Sequence, residues 1–320
     1  MSNTQYPISQ VVALAGGVGG AKLAHGLAQQ LAPDQLTIIV NTGDDFEHLG
    51  LLICPDIDTV LYNLAEVQHP QQGWGRADES FQVLEETKRL GHDAWFRLGD
   101  RDIALHLLRR QMLDAGMSLT EVIAALARRL GVTHLVLPMS DQSVRTIIHT
   151  PEGELPFQEY FVHRRTEPTM LGMHMAGLEQ ARPTAAVSTA LAEADLIIFC
   201  PSNPYVSIDP ILALPSVREA VARTPTIAVS PIIGGRALKG PAAKMMAEVG
   251  ADVSAVGVAR HYADLLDAFV LDQADRRLVD AISALGIRSF VTDTIMRDKT
   301  DRARLAAEVL SFAQSRKPVP

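Results

Sequence analysis

The chain has 320 residues, enough for a large core, and its 47% hydrophobic and 21% charged content excludes wholesale disorder. A net charge of −8 argues against a nucleic-acid binder that relies on a broad basic surface, while leaving a small phosphorylated ligand open. Cys54 and Cys200 are too few for a disulfide framework and lack metal-ligand spacing, no apolar run approaches the ~18 residues of a membrane span, and MSNTQYPISQ shows no leader pattern. The expectation is a cytoplasmic protein that does not engage a membrane.

The first strong signal is VVALAGGVGGAK. Val11 to Ala15 reads as a short buried strand running into Gly16, Gly17, Gly19 and Gly20, with a helix starting near Lys22. Glycines let backbone N–H groups approach an anion, a helix N-terminus adds partial positive charge, and Lys22 adds a full one. The spacing is neither a Walker A loop nor a clean GxGxxG, so a tight turn that binds nothing is the alternative. The second strand, Leu36 to Val40, ends in Asn41, Thr42, Gly43, Asp44 and Asp45. An acid at that strand end suits a ribose hydroxyl, and two adjacent carboxylates suit a magnesium ion.

Pro55 then breaks the chain, and Asp56 or Asp58 can cap a helix from about Thr59 to Val67. HPQQGWGRADES reads as a loop, Phe81 to Leu90 as an amphipathic helix, and residues 103–115 as a helix with Ile103, Leu107, Leu108 and Met112 on its apolar stripe. Ser118 and Glu121 form a capping-box pattern ahead of a helix ending near Leu130. Residues 59–130 are therefore expected to be a mainly helical lobe inserted within a single α/β domain spanning 1–320.

Leu135 to Leu137 is another buried strand. VRTIIHT and LPFQEYFVHR alternate around Pro151 to Glu154 as a hairpin would. Leu196 to Phe199 runs into Ser202 and Asn203, and TPTIAVSPIIGG repeats the pattern with Ser230, Gly234 and Gly235 in its loop. A helix over Ala242 to Glu248 follows, AFVLDQADRR and IRSFVTDTIM hold the last strand candidates, and SRKPVP looks loose. Continuously apolar strands alternating with helices imply a Rossmann-like, mostly parallel sheet covered on both faces. Its ligand crevice lies beyond the strand C-termini, where the polar loops collect.

The ordered set GGVGGAK, VNTGDD, PDIDTVLY, GWG, LGDRD, LPMSD, FQEYFV, PSNP, SPIIGG with KGPAAKMM, and DTIM resembles the 2-phospho-L-lactate transferase family over about residues 11–300. The resemblance implies a Mg2+-dependent transfer in coenzyme F420 biosynthesis. The ribityl hydroxyl of 7,8-didemethyl-8-hydroxy-5-deazariboflavin takes a phospho-organic-acid group (2-phospholactate, phosphoenolpyruvate or phosphoglycerate) from a guanosine diphospho-acid, and GMP leaves. It also implies that Asp58 and Arg97 contact the deazaflavin, Arg97 matching by charge where the family can carry lysine.

The residues support that chemistry independently, because phosphoryl-type transfer needs an anion cradle, a divalent cation and a positioned hydroxyl. Gly16, Gly17, Gly19 and Lys22 supply the cradle, with Ser202 and Asn203 as further phosphate or guanine contacts. Asp45 and Asp56 are assigned to the metal, and Asp45 and Asp58 are the catalytic carboxylates, Asp58 taking the incoming hydroxyl. Lys239 and Lys244 are candidates for the diphosphate, Trp74 and Phe96 for stacking on a deazaflavin, and His48 and His106 read as structural. The LGDRD knot reads equally well as helix capping. A homodimer is the default assembly. The rival class is a non-catalytic nucleotide-binding regulator of the gluconeogenesis-factor type, which shares the glycine loop; a Rossmann dehydrogenase has the wrong glycine spacing.

Overall fold

The computed structural model describes residues 8–315, so the loose tail lies largely outside the described residues. Strand β1 (Val11–Ala15) is buried along its whole length and runs directly into helix α1 (Gly17–Ala28). The helix thus starts five residues before Lys22, and the glycines form its first turns rather than a separate loop. β2 (Leu36–Val40) follows, then a small antiparallel pair, β3 (Phe46–His48) and β4 (Leu51–Ile53), which delivers the chain to α2 (Pro55–Leu64). Proline at the first position of α2 starts the helix, since its missing N–H would be unpaired there anyway. Asp56 and Asp58 therefore sit within the first turn of α2, where neither caps it through its side chain.

Three helices come next: α3 (Gln82–Arg89), α4 (Asp100–Asp114) and α5 (Leu119–Arg129), the last with the expected capping box between Ser118 and Glu121. In α4 the expected stripe holds in part, with Ile103 buried and Met112 packed against a small core. Leu107 and Leu108 are exposed, whereas Asp102, Ile103, Leu105, His106 and Arg109 face inward. The inward face of this helix is mixed: Ile103 and Leu105 pack into small apolar clusters, while His106 and Arg109 meet Asp58.

β5 (Leu135–Pro138) returns to the main sheet. β6 (Arg145–Thr150) and β7 (Gly153–Pro156) form the expected hairpin, and β8 (Gly172–Ala176) adds a third antiparallel strand on the other edge of β6. The strand expected over FQEYFVH is instead helical from Phe157, with a π-helical turn over Glu159–His163, and Phe157 stacks on Phe161 at 5.5 Å. The remaining elements are α6 (Ala185–Glu193), β9 (Leu196–Phe199), α7 (Asp209–Leu212), α8 (Val217–Arg223), β10 (Thr226–Val229), the short pair β11 (Ile232–Ile233) and β12 (Arg236–Ala237), α9 (Ala242–Glu248), α10 (Ala255–His261), β13 (Ala268–Asp272), α11 (Val279–Ser283), β14 (Arg288–Thr292) and α12 (Lys299–Gln314).

Seven strands pair in parallel in the order β14-β13-β10-β9-β1-β2-β5. Successive side chains of β1 go to opposite faces: Val12 and Leu14 join one core with α6 and α8, and Val11, Ala13 and Ala15 join the other with α1, α2 and α12. The chain leaves β1 toward β2 on one side and returns as β9 on the other, so the crevice opens between the β1 and β9 loops, at the switch point of the strand order. No helix among the described residues is long and apolar enough to cross a membrane.

Candidate active site

At that switch point lies a cavity of about 970 Å³. Gly16 is extended, and Gly17 begins α1 at φ +62°, a conformation that favours glycine. A Cβ on Gly16 would collide with Asp56 and sit 2.6 Å from Ser207 Cβ, and one on Gly19 would strike the Pro201 carbonyl, so loop and sheet are closely packed behind the cradle. A Cβ on Gly17 would meet nothing, and Gly17 borders the cavity. Its backbone N–H donates to Asp56 Oδ1 at 2.6 Å.

Asn41, at the end of β2, organises the acids. Its side-chain amide donates to Asp44 Oδ1 at 3.2 Å, Asp56 Oδ2 at 2.9 Å and the Val206 carbonyl at 2.9 Å, and its own carbonyl accepts from Gly43 N–H. Two carboxylates thus share one amide. Burial, reinforced by Asp56, pushes Asp44 well above the ordinary carboxylate range, and burial raises Asp56 to about 6 despite its bonds from Asn41, Gly17 and Ser207. Both line the cavity. No cationic side chain of the described residues hydrogen-bonds to or ion-pairs with either one. A pair of hard oxygen ligands lacking a counter-charge fits a magnesium ion, which takes one or two carboxylates and completes its shell with water and phosphate oxygens. Asp45 is placed differently from the expectation. It does not border the cavity, and one of its oxygens, buried, has no hydrogen-bond partner.

Asp58 reaches the cavity wall from α2, and its carboxylate is held by the fully buried Arg109 of α4. The guanidinium engages both carboxylate oxygens, one contact being Nη1 to Oδ2 at 3.1 Å, and also donates to the Leu52 carbonyl at 3.1 Å. Nη1 further meets His106 Nδ1 at 3.1 Å. His106, read from sequence as structural, borders the cavity. Burial lowers it from the ordinary 6.5 to about 4, Asp58 pulling it up and Arg109 pushing it further down. Between those values the unfolded chain binds a proton that the folded state refuses, so this group makes stability rise with pH and fall on acidification by about 1.4 kcal/mol per pH unit. His106→Gln is expected to flatten the loss of unfolding free energy between pH 6.5 and 4 by that slope. An unchanged slope in urea titrations would show that His106 protonates freely.

The remaining candidates divide. Lys22 borders the cavity half-buried, with Nζ donating to the Met296 carbonyl at 2.7 Å, and burial together with Arg302 lowers its pKa. Ser202 pins the β9 loop to the cradle, its hydroxyl accepting from Gly16 N–H and donating to Gly16 C=O at 2.8 Å, which leaves it little capacity for a phosphate. Asn203 caps the following turn through Tyr205 N–H and also borders the cavity. Arg97 borders the cavity and stacks over Phe81 at 4.2 Å. Trp74, Trp95, Phe96, Phe157 and Phe161 give the cavity an aromatic arm, Trp95 lying parallel to His163 at 5.0 Å. Lys239 hydrogen-bonds the carbonyls of Gln71 and Gln72, clasping two loops across the mouth. Lys244 is absent from the wall, engaged by Glu248, Tyr160 and Pro168. In LGDRD, Asp100 receives the N–H groups of Gln82 and Val83, and Glu79 those of Arg101 and Asp102, so this knot caps α3 and α4.

His149, Glu154 and His174, on the exposed face of β6, β7 and β8, also have metal-ligand spacing, but none of them borders the cavity. Residues 11–309 match the family described as 2-phospho-L-lactate transferase CofD. The chain belongs to the 2-phospho-L-lactate transferase family. It is 44% identical over 314 residues to a phosphoenolpyruvate transferase of Kitasatospora aureofaciens (95% of this chain, 98% of that one). It is 40% identical over 298 residues to a 2-phospho-L-lactate transferase of Methanosarcina acetivorans (93% and 97%). A crystal structure of a upf0052-family protein from Bacillus halodurans shares the fold at a TM-score of 0.62 and 17% identity, covering 95% of this chain and 99% of that one. Membership in the 2-phospho-L-lactate transferase family makes the chain a transferase.

Proposed function

We propose that this transferase moves a phospho-organic-acid group from a guanosine diphospho-acid to the ribityl hydroxyl of 7,8-didemethyl-8-hydroxy-5-deazariboflavin, releasing GMP, as a step of coenzyme F420 biosynthesis. The observation that carries the reading is the Asp44–Asp56 pair, two buried carboxylates without a cation, set beside a glycine-started helix in a cavity that also has an aromatic arm. Polar and aromatic ends suit a donor rich in phosphate and an acceptor with a flat ring system.

The N-terminus of α1 receives the diphosphate, and the cavity face of Gly17 leaves room for it. Asp44 and Asp56 would hold Mg2+, which would supply neutralisation of the charge that develops on the diphosphate oxygens. Asp58 accepts a hydrogen bond from the incoming hydroxyl. Its pairing with Arg109 fixes its orientation. A loose transition state requires little more: the hydroxyl passes its proton to the Asp58 carboxylate as the new O–P bond forms, and the bond from that phosphorus to the GMP oxygen breaks. Arg97 and the aromatic arm hold the deazaflavin.

The test is turnover by purified protein with Mg2+, the deazaflavin and three donors carrying lactate, enolpyruvate or glycerate, with GMP release and the product mass followed. Product from one donor is expected and names the acid. No product from any donor, with guanine-nucleotide affinity intact, would overturn the reading in favour of a regulator.

A further inference from the structure

The mechanism above leaves a buried imidazole on the wall of the cavity unused. Arg109 has only donors and cannot be deprotonated, so the 3.1 Å contact between its Nη1 and His106 Nδ1 can be a hydrogen bond only if Nδ1 carries the lone pair. The neutral ring must then carry its proton on Nε2. Among the described residues no hydrogen bond is formed by Nε2, and the ring, 2% exposed, borders the cavity. The same Nη1 also lies 3.1 Å from Asp58 Oδ2 and from the Leu52 carbonyl, so its two N–H groups are shared among three acceptors, and His106 Nδ1 lies 3.7 Å from that carboxylate oxygen. One guanidinium therefore fixes an acceptor, the Asp58 carboxylate, and a donor, the His106 Nε2–H, as neighbours on the same wall.

We propose that Asp58 and His106 form a two-point clamp for the hydroxyl group of the acceptor substrate, with Arg109 as the positioning residue that sets both. An alcohol has one proton to give and lone pairs to receive. Its O–H donates to Asp58 while its oxygen accepts from His106 Nε2–H, which leaves a second lone pair directed at phosphorus. A fixed Nε2–H tautomer cannot serve as the base at that atom, so the role of His106 is to bind and orient. This rests on the transfer reading above, in which the attacking group is an alcohol. The depressed basicity of the buried ring agrees with the geometry, since it keeps the imidazole neutral through the physiological range.

Two measurements test the clamp. In the first, protein labelled with 15N histidine is examined by long-range 1H–15N correlation, with the His106 signal among the ten histidines assigned by its loss in His106→Gln. The expected pattern is Nε2–H with Nδ1 unprotonated, unchanged from pH 8 to pH 5.5. An Nδ1–H tautomer or an imidazolium at pH 6 would overturn the proposal whether or not the transfer reading holds. In the second, once the wild type has been shown to turn over, His106→Leu is expected to lose about tenfold to a hundredfold in kcat/KM for the deazaflavin, the cost of leaving one hydrogen bond unmade. KM for the donor should be unchanged. His106→Gln, whose amide can donate from nearly the same place, should recover most of that loss, a recovery a purely structural role would not tie to donor capacity. Equal kcat/KM in His106→Leu and wild type, or a loss that Gln does not recover, sinks the clamp while leaving the transfer reading intact. Absence of turnover in the wild type sinks the transfer reading instead. Arg109→Lys keeps the charge but cannot hold both neighbours, so a pH-dependent limb near the ordinary histidine value should appear in its kcat/KM profile; a flat profile would deny Arg109 the positioning role.

Discussion

Arg109→Ala is expected to destabilise the protein by about 3–5 kcal/mol, the usual consequence of removing one member of a buried ion pair. Arg109 is fully buried, and its guanidinium supplies the only cationic partner hydrogen-bonded to Asp58 among the described residues. Truncation leaves the largely buried Asp58 carboxylate without its cation and frees the Leu52 carbonyl and His106 Nδ1 together. It also empties the volume of a large side chain between α2 and α4. Urea unfolding should show a lower midpoint with an unchanged slope. The decisive comparison is the double variant Arg109→Met with Asp58→Asn, which removes both charges and keeps the volume. It should recover much of the loss, because replacing both partners is far less costly than breaking the pair. A loss below about 1 kcal/mol for Arg109→Ala would mean that water screens the pair as it does at a surface.

The same pair shows where sequence reading succeeds and where it stops. Strands buried on both faces read as continuous apolar runs, so Val11–Ala15, Leu36–Val40, Leu196–Phe199 and Thr226–Val229 were legible, and with them the parallel sheet and the switch-point crevice. Helix α4 was legible as a helix, yet its orientation was not. Apolar periodicity assigns Leu107 and Leu108 to the core, and the structure turns them outward because Asp102, Ile103, Leu105, His106 and Arg109 take the inward face, where His106 and Arg109 meet. The i, i+3 spacing of His106 and Arg109 was visible; their partner Asp58, 48 and 51 positions away, was not. Helix α12 went unread for a similar reason, with Arg302 buried against Asn63 and His25 on its inward side. Segment 157–162 reads as a strand by alternation, but the stacking of Phe157 on Phe161 brings side chains four apart together, which needs a helical turn. Among the acids, sequence places Asp44 and Asp45 side by side. Only the fold shows which of the two turns toward Asn41 and the cavity.

That difference gives the second large effect. Asp44→Asn and Asp56→Asn are each expected to reduce Mg2+-dependent turnover by about 10³-fold or more, since each removes one of two charges that would hold the ion against the diphosphate. Asp45→Asn should cost only a few-fold, because Asp45 lies behind the wall, where burial holds its carboxyl up at about 7 and Arg145 is its foremost electrostatic partner. The sequence expectation of Asp45 and Asp56 as the metal pair predicts the opposite order for 44 and 45, so one set of three variants decides between them. Turnover alone would not separate metal binding from a collapsed site, because Asn41 donates to both carboxylates and Asp56 also receives the Gly17 N–H. Calorimetric titration with Mg2+ in the presence of guanine nucleotide supplies the second reading. The Asp44 and Asp56 variants should lose the magnesium-dependent part of nucleotide affinity while keeping the metal-free part. In Asp44→Asn the remaining carbonyl oxygen can still accept from Asn41, whereas in Asp56→Asn one oxygen serves either Asn41 or Gly17, so the metal-free nucleotide affinity of each variant is the control for the scaffold. If Asp45→Asn were as damaging as the other two, the ion would have to sit deeper, between β2 and α2, and the unpartnered oxygen of Asp45 would be its ligand.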